Sequence, residues 1–155
     1  MNKFVKIALA SALLAAPIPA FAATGDVQFD ATVNNTCTIA VGPAGLLASN
    51  VGQTVLSSSI AGGTAGTADI TATSAAYQVS INAPIAFTSA PVGGGTGVTF
   101  AANYASAGAT TLASGNTARP LNTGVSNVTV NMSATKAAGS FPTGTYAAIV
   151  VLRCE

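Results

Sequence analysis

Gly25-Asp-Val-Gln-Phe-Asp-Ala-Thr-Val-Asn-Asn-Thr-Cys37 sets Val27, Phe29, Ala31 and Val33 in strict alternation with Asp26, Gln28, Asp30 and Thr32. A period of two marks a strand with one apolar and one wet face. The stretch follows directly on a secretory-type leader, so processing turns it into a free N-terminal arm. An apolar stripe on a free arm needs a groove to bury it, and that groove can belong to another molecule. The arm therefore predicts a β protein that assembles.

The leader itself is read from Lys3 and Lys6, an apolar core from Ile7 to Ala16, and the helix-breaking Pro17 and Pro19. Ala20-Phe21-Ala22 supplies the small-x-small site for cleavage before Ala23. The apolar run is shorter than the roughly 20 residues a spanning helix needs. Export through a periplasm to the cell surface is expected, with no membrane span in the processed chain. Removing 22 residues from 155 leaves 133, enough for one domain with a real core.

That domain carries Arg119, Lys136 and Arg153 against Asp26, Asp30, Asp69 and Glu155, a formal charge of −1. Such a balance offers no basic patch for nucleic acid and no polybasic face for an anionic membrane. So neutral a surface suits a subunit packed against neighbours better than a free monomer.

Past the leader, short alternating runs are separated by Gly, Pro and Asn. Strands are predicted over 37–41, 68–73, 77–81, 98–104, 125–134 and 146–154, with a weaker one over 51–56 and a continuation over 85–88. The 91–97 stretch reads as a mobile loop. In 125–134, Val128, Val130 and Met132 share a face. Seven or eight strands at this spacing predict a two-sheet antiparallel sandwich of the immunoglobulin-like kind.

Its last run is apolar on both faces: Tyr146, Ala148, Val150 and Leu152 on one, Ala147, Ile149 and Val151 on the other. Such a strand belongs inside a packed sandwich or beside something that covers it. An immunoglobulin-like sandwich would have one more strand after it. Without that strand, the first and last strands flank an open apolar groove, lined by Ile39 and Val41 and by Tyr146, Ala148, Val150 and Leu152.

The arm, Cys37 at the head of the first strand, and the Gly144 to Leu152 ending together resemble chaperone–usher pilus subunits and the related spore coat U-like secreted domains. The resemblance covers both ends of the chain and the strand rhythm between them. It implies an incomplete immunoglobulin-like domain over 35–155 that accepts the arm, residues 23–34, of the next subunit by strand addition. Val27, Phe29, Ala31 and Val33 would be the inserted side chains, with Gly25 allowing close backbone approach. Implied partners are identical or related subunits, a periplasmic chaperone and an outer-membrane usher. Arg153-Cys154-Glu155 stands where the family usually has an aromatic residue.

Cys37 and Cys154 are the only cysteines. In an exported protein such a pair reads as a structural disulfide rather than a redox or metal pair. Cys37 opens the first run and Cys154 closes the last, so antiparallel first and last strands would bring them together. The chain has no His and only four carboxylates after the leader, two of them on the arm. No catalytic set, metal cluster or phosphate loop is legible, so neither enzyme activity nor a cofactor is expected. Gly93-Gly94-Gly95 reads as a flexible loop, and the Asn34, Asn127 and Asn131 glycosylation triplets as chance composition. The function expected is that of a fibre subunit assembling by strand exchange, supporting adhesion or biofilm formation. Alternatives are a self-contained secreted coat or matrix protein and a ligand-binding adhesin.

Overall fold

The computed structural model describes residues 23–155; the leader predicted over 1–22 lies outside them. The chain divides after Thr32 into two units. In the first, residues 23–32 are exposed and form no strand. The alternation is present, but a lone strand has no ladder partner for its backbone groups. Gln28 Nε2 donates to Asp30 Oδ1 at 2.8 Å along the wet row. Val33 and Asn34 fall within the larger unit.

The larger unit is all-β among the described residues. Its strands are β1 (Cys37–Val41), β2 (Ala48–Ser49), β3 (Val55–Ser57), β4 (Gly66–Ala72), β5 (Gln78–Asn82), β6 (Val98–Gly108), β7 (Leu112–Gly115), β8 (Arg119–Pro120), β9 (Gly124–Lys136) and β10 (Val151–Cys154). They form two antiparallel sheets. The larger runs β1-β4-β9 and continues from β9 to β3 and β2; β6 lies on the other side of β9 and carries β7. The smaller has the order β10-β5-β8.

Alternation explains how the sheets close on each other. In β4, Ala68, Ile70 and Ala72 are buried while Thr67, Asp69 and Thr71 face solvent. In β9, Val128, Met132 and Ala134 are buried with Val130 half-buried beside them, so the face predicted for this run forms. Ile70, Val128 and Tyr104 of the larger sheet pack in one cluster with Val79 and Ile81 of the smaller. The Tyr104 hydroxyl crosses between the sheets, reaching Val79 O at 3.1 Å and Thr117 O at 2.8 Å. Burial raises this phenol above its ordinary value, against a lowering by Arg119.

A second cluster, Leu56, Met132, Ala134 and Phe141, is flanked by Phe87, Phe100 and Tyr146. Phe87 meets Phe100 edge-on at 4.8 Å and Tyr146 at 5.0 Å. The loop at 91–97 is tied down rather than loose. Lys136 Nζ donates to Gly93 O at 2.7 Å and Thr96 O at 3.2 Å while lying over the Phe141 ring. Gly144 has φ +151°, and a Cβ there would meet Pro91 Cγ at 2.4 Å, so only glycine lets this loop close on the segment before Tyr146.

Several strand expectations change. The run at 51–56 shortens to β3, because Asn50 Oδ1 accepts from Thr54 N (2.8 Å) and Val55 N (3.1 Å) and bends the chain into a turn. Residues 85–88 form no strand, and the backbone is next bridged at Ser89, opposite Ala147. The Ala-rich stretch after Tyr104 prolongs β6 to Gly108 through pairing with β9. The predicted strand over 146–154 is a paired strand only from Val151.

Candidate functional site: an open cleft between the two sheet edges

β1 pairs with β4 alone, in the register Cys37↔Ala72, Ile39↔Ile70 and Val41↔Ala68. Its other edge pairs with no strand among the described residues. β10 pairs with β5 alone, in the register Val151↔Asn82 through Cys154↔Val79. Upstream of it, Ala147 exchanges backbone bonds with Thr88 and Ser89 at 2.8 to 3.3 Å, on one side of the segment. The larger and smaller sheets thus each end in an edge with one free row of backbone donors and acceptors.

The two edges meet at the Cys37–Cys154 disulfide, where the Cα atoms are 6.2 Å apart. The bond follows from the chain order: β1 begins and β10 ends at the same end of the molecule. Away from it the edges part. The six groove residues predicted from the sequence, Ile39, Val41, Tyr146, Ala148, Val150 and Leu152, all line one cleft of about 1150 Å³.

The exposure of those residues describes the opening. The register places Val41 on the same inward face as buried Ala68, yet Val41 is 84% exposed. No strand of the opposite sheet covers it. Ile39, nearer the disulfide, is half-buried. Along the other wall Tyr146, Ala148, Val150 and Leu152 are half-buried while Ala147, Ile149 and Val151 face solvent, Ile149 at 63%. The run that reads as apolar on both faces therefore turns one face to the core and leaves the other bare.

Sequence reasoning did not name the floor: Leu56, Ala68, Val130 and Met132, with Phe141 at the aromatic end. For Val130 and Met132 the signal was present in the inward row of β9, but which part of that row stays uncovered depends on the partner sheet. No charged side chain among the described residues lines the cleft. No group of three or more metal-ligating side chains occurs among the described residues. The cleft thus offers apolar contact along its length and backbone hydrogen bonding along its edges, and no acid, base or nucleophile pair.

The donor residues predicted on the arm are all solvent-facing: Gly25, Val27, Phe29 and Ala31 in the first unit, Val33 at the start of the second. Phe29 is 89% exposed. No helix among the described residues is long and apolar enough to cross a membrane. No family model, curated protein or solved structure matches this chain.

Proposed function

We propose that this chain is a structural subunit of an extracellular fibre, in which the arm of one copy occupies the cleft of the next. The observation that carries the reading is the cleft between two unpaired sheet edges, mostly apolar and lined by no charged side chain among the described residues. A small apolar ligand would use the walls but leave the free backbone groups idle. An extended strand uses both, with backbone bonds for affinity and alternating side chains for fit.

Strand order supports an incomplete immunoglobulin-like domain. Four strands run β1-β4-β9-β6 in one sheet, and β5-β10 pair in the other. With β2, β3, β7 and β8 set aside as additions, that order fits the immunoglobulin constant-type sheets lacking a seventh strand beside β10. The arm supplies the missing partner chemistry. Val27 to Val33 is a run of seven residues, as is Tyr146 to Leu152, each about 20 Å from first to last when extended. On this reading export precedes assembly, and a periplasmic chaperone and an outer-membrane usher are the proposed helpers.

Electron microscopy and cross-linking of the processed full chain test the reading. Fibres whose subunits cross-link from arm to cleft are expected. A stable monomer with an empty cleft, at concentrations where a strand-exchanged subunit polymerises, would overturn it.

A further inference from the structure

We infer that the Cys37–Cys154 bridge is an end-stop that fixes the direction and register of the inserted arm, with Gly25 as the residue that meets it. The inference rests on the strand-acceptor reading and adds to it what sets the fit.

Neighbouring strands in a sheet lie about 4.8 Å apart, so a strand seated between two edges needs roughly 9.6 Å between them. At the bridge the two edges are 6.2 Å apart, Cα to Cα. No strand passes there, and the cleft is closed at that end. At the other end Val41 stands 84% exposed, and the cleft is open.

Direction follows from covalent continuity. Beyond Val33 the donor chain runs through Asn34 to Thr36 into its own β1. That continuation cannot cross the bridge, so it leaves by the open end. Val33 then lies toward Tyr146 and Val27 toward Leu152, and the arm runs antiparallel to the last strand.

Register needs a separate cause. A strand of period two slips by two residues without changing faces, and Val27, Phe29, Ala31 and Val33 alone do not choose among such slips. The stop does. With Val27 level with Leu152, Phe29 falls beside Val150, and the arm leaves the cleft at Gly25, which lies over the bridge beside Cys154 instead of passing between the edges. Gly25 belongs to the inward row, two residues before Val27, and it alone of that row has no side chain. A side chain there would be driven into the bridge, so glycine marks the one register in which the whole apolar row is seated.

The test uses the processed full chain and its fibres. Gly25→Leu is expected to reduce assembly at least tenfold with the bridge intact. In the Cys37→Ser/Cys154→Ser background it should reduce assembly less than twofold. Independently of any cysteine variant, a photoreactive phenylalanine analogue at position 29 should cross-link to the neighbour around Val150. Equal sensitivity to Gly25→Leu in both backgrounds would overturn the end-stop, as would cross-links centred on Tyr146 to Ala148. Should the double-serine protein fail to fold, the position-29 cross-link decides alone. Fibres that form with no arm-to-cleft cross-link would instead remove the strand-acceptor reading, and this inference with it.

Discussion

Replacing Phe29 isolates the largest side chain of the proposed donor row. In the unassembled chain its ring is 89% exposed, so nearly all of its apolar surface remains to be buried. Full burial of a ring of this size is worth about 1.5–3 kcal/mol, which corresponds to roughly a 10- to 150-fold change in an equilibrium constant. Phe29→Ala should raise the concentration needed for assembly by about that factor, and Phe29→Leu by much less. Phe29→Asp should do more harm, because no cation lines the cleft to meet the carboxylate. Stripping water from an unpaired charge costs several kcal/mol, enough to abolish assembly at micromolar concentration. Below the ordinary aspartate value of about 4 the neutral acid should restore part of the loss. Light scattering against concentration at pH 7 and pH 3, with microscopy of the products, gives the readout. Fibres from Phe29→Asp at the wild-type threshold at pH 7 would refute the reasoning.

Further outcomes concern the disulfide, the cleft, the fused strand and Tyr104. Intact mass with alkylation should find no free thiol in the native chain. Reduction should cost up to about 5 kcal/mol in the chain-entropy limit for a loop spanning 117 positions, read by denaturant unfolding. Ala148→Trp should fill the cleft and block arm binding while the fold, followed by circular dichroism, persists; unchanged assembly would show that the cleft is not used. Fusing a copy of Gly25 to Val33 after Glu155 by a short turn should yield a soluble monomer, since that strand runs from the bridge to the open end; persistent polymers would count against the assigned direction. Tyr104→Phe should cost about 1–2 kcal/mol through its lost hydrogen bonds. The phenol's folded value is raised, so its contribution is present below pH 10 and fades as pH rises through the folded value. Unfolding curves at pH 8 and pH 11 should lose this component in the variant.

Alternation alone determined the inward rows of β4 and β9, because a period of two leaves one way to bury Ile70 or Val128. It also marked the arm and the face of Tyr146, Ala148, Val150 and Leu152, since side-chain direction is fixed by the local backbone. The cysteine count, with the leader expected over 1–22, sufficed for the disulfide, since two cysteines left no other pairing within the chain. Other features were decided beyond the local stretch. The Asn50 side chain captured two backbone N–H groups and converted most of a predicted strand into a turn. β6 gained four residues past Tyr104 because β9 was long enough to pair with them. Above all, burial of an inward side chain depends on what the opposite sheet places over it. Val41 and Ala68 share a face and a register, yet one is bare and the other covered. The sequence carried the apolar rows; only the meeting of two sheets, joined at one end and parted at the other, decided which members were left open to a strand.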